Sequence, residues 1–185
     1  RTPGDCPPPW LHPDQTTQEG KSSVVSVGAV TYNEFNEPSI AAISSQGPVE
    51  WDDYPYNPEM GLIRPDIVAP ATISSLSNTS NDGYVTKGGT SQAAPCVAGV
   101  MALMLEKNPN LTPEDLCKIV ERTATQKTPK KDNLYGSGVV DALEAVRAVP
   151  LDVDGPALNV YDFTRTFNAG SNLNLELTLI NNGKS

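Results

Sequence analysis

From about Gln92 to Lys107 the chain is apolar nearly all the way round a helix: Ala93, Val97, Ala98, Val100, Met101, Leu103, Met104 and Leu105 leave no wide polar face. A helix of this kind is not stable with one side wet, so the pattern predicts a helix packed in the middle of a molecule. Pro95 falls in its first turn, where the missing N–H costs little. Directly ahead lies the glycine turn Gly88-Gly89-Thr90-Ser91. Ser91 therefore stands at a helix N-terminus, where backbone N–H groups lack intrahelical partners and favour negative charge. On position alone this is the address of a nucleophile or of an ordinary N-cap.

The elements around that helix alternate. "SVVSVGAVT" (residues 23–31) and "DIVAPA" (66–71) are short and valine-rich, as strands buried on both faces are. The piece between them is broken into short apolar stretches and turns. Residues 72–89, "TISSLSNTSNDGYVTKGG", read as an irregular, hairpin-like excursion leading to the serine. After the central helix, "NPNLTPEDLCKIVERTA" starts a second one, with Thr112 as N-cap, Pro113 first, and Glu114 and Asp115 favourable to the dipole. Leu116, Ile119 and Val120 form its apolar stripe. "YGSGVVDALEAVRAV" gives a third helix supported by Asp141, with Val140, Leu143, Ala145 and Val146 toward the core.

Strands alternating with helices predict an α/β domain over residues 1–150, built as part of a doubly wound parallel sheet with flanking helices. Past the link "PLDVDGP" the pattern changes: Leu173, Leu175, Leu177 and Leu179 alternate with polar residues, as in a half-buried antiparallel strand. Residues 151–185 are therefore expected to be a linker and the start of a β-sandwich, since two strands alone bury too little.

Composition narrows the function classes. The 185 residues are 38% hydrophobic, enough for one compact domain or a domain plus part of another. The formal net charge is -9 and the 13 basic residues are scattered, which speaks against a nucleic-acid partner. The three cysteines, Cys6, Cys96 and Cys117, have no metal-ligand spacing; they are expected to be reduced, two of them in the core. No apolar run is long enough to span a membrane. The chain opens on Arg1 and stops in "NNGKS", so it is read as a piece of a longer polypeptide.

"GGTSQAAPCVAG" resembles the serine motif of the subtilisin-like serine proteases, G-T-S-x-A-x-P-x-V-A-G, matched from Gly89 to Gly99. The order of "VVSVGAV", "DIVAP", the serine motif, two helices and "YGSGVVDALEAV" is similar to that family over residues 20–150. The resemblance implies that Ser91 is the catalytic nucleophile of an endopeptidase working through an acyl-enzyme. It implies that the Ser91 N–H donates to the oxyanion, that Thr90 supports that hole, that Gly88 and Gly89 shape the cleft, and that Gln92 faces the leaving-group side. Trp10, Leu11 and His12, in a proline-rich loop, are candidates for a substrate-pocket wall. His12 in that loop is better read as solvated or structural than as the catalytic base.

The motifs that carry the family's aspartate, histidine and oxyanion asparagine do not occur in this sequence. They are expected in an upstream half of the catalytic domain, which makes that half a required partner and this chain alone inactive. The substrate implied is a polypeptide, and the location secreted or cell-surface. The alternative is a pseudo-protease scaffold that binds peptides or serves adhesion. No cofactor is required; calcium, common in the family, is possible at Glu50, Asp52 and Asp53 around Trp51, but no calcium motif is present and a solvated acidic turn is the better reading. Cys96 occupies a position usually histidine in the family and is expected to face helix packing rather than the reaction. "NTS" at Asn78 fits the glycosylation pattern without deciding anything.

Overall fold

The structure is a computed structural model that describes residues 3–15, 22–49, 62–79 and 82–150. The chain divides into two units, Arg1–Val149 and Pro150–Ser185. The anticipated β tail and the acidic turn at Glu50–Asp53 lie outside the described residues.

The valine-rich segments form the sheet. Strand β1 (Val27–Tyr32) runs parallel to β3 (Ile67–Pro70), with Gly28 opposite Val68, and antiparallel to the short edge strand β2 (Pro38–Ile40). Beyond β3 the sheet continues in parallel at Val139, where the Val68 N–H bonds to Gly138 O and the Val140 N–H to Val68 O. Val30, Val68 and Val139 bury together across these three lines of chain, with Ile40 and Tyr135 packed against them. Strands β4 (Thr72–Leu76) and β5 (Tyr84–Gly88) pair as an antiparallel hairpin directly before the central helix.

Helix α1 (Thr90–Lys107) packs on β1 and β3 through Ala93, Val97, Val100 and Met104. Helices α2 (Pro113–Thr123) and α3 (Ala142–Ala148) pack on each other and on α1. A fully buried Val, Leu, Ile or Met side chain contributes about 1.5–3 kcal/mol, so the α1–sheet interface is a substantial source of cohesion. The mixture of helices with parallel strands is the expected α/β architecture.

Three expectations are corrected. Among the described residues α1 is covered on one face only: Ala98, Gly99 and Ala102 are exposed, and Leu103 keeps 50% of its surface. Leu143 is likewise exposed, because the seven-residue α3 turns Ala145 to the core instead. Only Cys117 of the three cysteines is buried; all three are free thiols.

A cluster of four buried charges, two of each sign, sits at the head of β3. Asp66, at the head of β3, accepts the Ser26 N–H (2.8 Å) on Oδ2, and Arg64 Nη1 (2.6 Å) and Lys131 Nζ (3.1 Å) on Oδ1. Lys131 also donates to Glu121 Oε2 (2.8 Å), which takes Ser137 Oγ as well (2.5 Å), while Cys117 Sγ donates to Oε1. Arg64 adds bonds to the carbonyls of Gly4, Cys6 and Ile63. Burial works against the Lys131 charge, but the Asp66 and Glu121 carboxylates outweigh it and hold the ammonium above its ordinary range. Gly136 makes the approach possible: at φ 60 it lies so close to Asp66 that a Cβ would come within 2.5 Å of the Asp66 carbonyl.

Candidate functional site

Gly88 closes β5 and Gly89 turns the chain into α1. Gly89 has φ 142 and ψ 172, a conformation that side chains disfavour, and its N–H is anchored on Ala71 O at 2.9 Å. The first backbone bonds of the helix come from the N–H groups of Gln92 (3.0 Å) and Ala93 (3.2 Å), both to Gly89 O. The N–H groups of Thr90 and Ser91 thus precede the bonded run and meet no backbone carbonyl among the described residues. A glycine cap supplies no side-chain acceptor for them. Two donors are left aimed off the positive end of the helix, as stabilising an oxyanion requires.

Ser91 is exposed and opens on a pocket of about 450 Å³ between the hairpin and the first turns of α1. The hairpin's alternation builds one wall: cross-strand partners Ile73 with Lys87, and Ser75 with Val85, all face it. Leu76 and Asn78 extend that wall toward the hairpin tip. The helix supplies Ser91, Gln92, Pro95 and Cys96. Of the residues singled out in the sequence, Ser91 and Gln92 share the pocket, Gly88 and Gly89 lead into it, and Thr90 lies on the wall of a different pocket with Gly4, Ser26 and Arg64.

Cys96 is a correction, because it lines the pocket that Ser91 lines. It follows Gln92 by four residues and so shares its helix face, a spacing that places it correctly. Burial pushes its thiol above the ordinary range, so it stands there as a neutral group. Ile73 and Lys87 belong to no motif in the sequence; period-2 alternation counted back from Gly88 is the signal that finds this hairpin pair.

Trp10, Leu11 and His12 do not line the pocket at Ser91. Trp10 is buried, its ring meeting the His12 ring edge-on at 5.2 Å and the Arg122 guanidinium of α2 at 5.3 Å. His12 accepts the Asp14 N–H on Nδ1 (3.1 Å), which fixes the neutral tautomer with its proton on Nε2. Burial, aided by the charge of Lys131, lowers its pKa to about 4. Among the described residues no three His, Cys, Asp or Glu side chains gather as metal ligands, and no helix is long and apolar enough to cross a membrane.

A serine on a glycine-capped helix start, fed by a hairpin and backed by parallel strands, is the arrangement of subtilisin-like proteins, and the model of the subtilase family matches residues 3–138. The chain belongs to the subtilase family. It is 32% identical over 139 residues to the serine protease AprX of Bacillus subtilis (strain 168), covering 66% of this chain and 29% of that protein. M-protease of Shouchella clausii (strain KSM-K16) is 42% identical over 82 residues, 44% of this chain and 21% of the relative. Among solved structures, the CspB protease of Clostridium perfringens matches with a TM-score of 0.54 and 32% identity, over 68% of this chain and 26% of that one. Fervidolysin from Fervidobacterium pennivorans, described as a keratinolytic enzyme related to subtilisin, matches with a TM-score of 0.54 and 27% identity, over 74% and 20%. The chain therefore spans less than a third of the length of each of these proteins.

Proposed function

We propose that this chain is the serine-bearing, C-terminal part of the catalytic domain of a subtilisin-like endopeptidase, with Ser91 as nucleophile. The observation that carries the reading is the exposed Ser91 at a glycine-capped helix start, where two N–H groups meet no backbone carbonyl among the described residues. Ser91 Oγ attacks the scissile carbonyl carbon of a polypeptide while a histidine takes its proton, and the developing oxyanion accepts the Ser91 N–H. Collapse of the tetrahedral intermediate breaks the C–N bond, the histidine returns the proton to the leaving amine, and water then releases the acyl group. Thr90 supports the oxyanion donor at longer range, Gly88 and Gly89 shape the cleft, and Gln92 faces the leaving group. Such acyl transfer draws on no cofactor.

The histidine, the aspartate that orients it and a second oxyanion donor, an asparagine, come in this reading from an upstream half of the domain. The open apolar face of α1 supports that partner, since a helix apolar all round is stable only when covered. Alone, the chain carries a serine without its base and is inactive, because the members of a triad act as a unit. The parent is secreted or displayed at the cell surface, with residues 151–185 starting a β-sandwich.

The test is labelling of the intact polypeptide that contains this chain with a fluorophosphonate probe, followed by peptide mapping. Covalent modification at Ser91, abolished by Ser91→Ala, is the expected result. A folded polypeptide that does not label overturns the enzyme reading and leaves a peptide-binding pseudo-protease in its place.

A further inference from the structure

We propose that the pocket beside Ser91 takes an acidic side chain of the substrate, glutamate before glutamine and lysine, at the residue following the cut, with Lys87 as the group that selects it. The proposal rests on the reading of Ser91 as nucleophile and adds to it a substrate class. Lys87 is the only charged residue among the described residues that line the pocket. It is exposed, lines the pocket and has no carboxylate partner among the described residues.

The rest of the wall suits a side chain with an apolar stem and an anionic end. Ile73, Val85 and Pro95 provide apolar contact for methylene groups. Gln92 and Asn78 place amides, and Ser75 a hydroxyl, around the same space, each able to donate to a carboxylate. A volume of about 450 Å³ holds one such side chain with room for water. A basic substrate residue would meet Lys87 with no acid among the described residues of the wall to offset the repulsion. Gln92, the residue after the nucleophile and the one assigned to the leaving-group side, lines the same pocket, which places the selected residue after the scissile bond.

The experiment compares kcat/KM of the intact polypeptide for three peptides that differ only in the residue after the cut: Glu, Gln or Lys. Exposed charge pairs support an expected preference of about fivefold for Glu over Gln, shrinking as salt is raised. Glu over Lys should exceed that. Lys87→Met should flatten the order and Lys87→Glu invert it; because each variant is read as a ratio among its own substrates, a general loss of activity cancels. Equal rates for the three peptides in a wild-type protein that labels at Ser91 would overturn the role of Lys87 and leave the nucleophile standing. An unlabelled wild-type protein would overturn both.

Discussion

At the scale of single residues, His12 shows what packing adds to position. A histidine in "PPPWLHPDQ" reads as solvated or structural, and the packing decides for the second: its ring is wedged against Trp10 and accepts a backbone N–H at Nδ1. Its folded pKa of about 4 lies below the unfolded value of 6.5, so the unfolded chain binds the extra proton between those limits. Stability from this group is complete above pH 6.5 and is lost as pH falls toward 4. Discounted for solvent screening of a partly exposed ring, the expected loss is about 1 kcal/mol between about pH 7.5 and 5, a window in which most carboxylates have yet to titrate. Urea unfolding followed over that range should show the slope in the wild type and a flatter one in His12→Gln; equal slopes would mean the ring is not held neutral. Cys96 makes the complementary point, since its face follows from counting four residues on from Gln92 while its neighbours across the pocket do not.

The two long helices begin in opposite ways, and the difference separates stability from function. Helix α2 opens with a complete capping box: Thr112 Oγ1 accepts the Asp115 N–H (3.1 Å) and Asp115 Oδ2 accepts the Thr112 N–H (3.0 Å). Thr112→Ala should cost about 1 kcal/mol, seen as a lower urea midpoint, and Thr112→Ser should recover most of it. A midpoint unchanged in Thr112→Ala would show that tertiary contacts through Ile119 and Val120 hold the helix start unaided. Helix α1 has no such cap, and none fits, because Gly89 sits at φ 142 with Gln92 Oε1 3.3 Å from where a Cβ would be. These starts are legible in the sequence, as is the hairpin before Ser91, because local chemistry decides them. Strand β2 is not, since Pro38 lacks a donor and reads as loop until the β1 edge beside it is known. The open face of α1 escapes for a similar reason: periodicity reports that a face is apolar and leaves open what covers it.

Across the whole described unit, cohesion draws on an apolar interface and on a cluster of buried charges. The sheet and α1 are joined by hydrocarbon, whereas the segments around Gly4, Ser26, Asp66, Glu121 and Ser137 converge on four buried charges. Lys131 is the only member that touches both carboxylates, and its side chain is fully buried. Replacing it with methionine fills much of the space but leaves two anions facing one guanidinium. Removing one partner of a buried ion pair typically costs about 3–5 kcal/mol, much of it the penalty of the charge left behind. Lys131→Met is therefore expected to lower the urea midpoint well beyond the effect of Thr112→Ala, and Lys131→Met with Glu121→Leu to recover a large part of that loss by removing the stranded carboxylate. The two single variants and the double variant form a cycle whose coupling energy separates charge from packing. If the double variant is no more stable than Lys131→Met, hydrogen bonds from Ser137 and Cys117 must carry Glu121 without the lysine, and the cluster would act by packing these segments rather than by balancing charge.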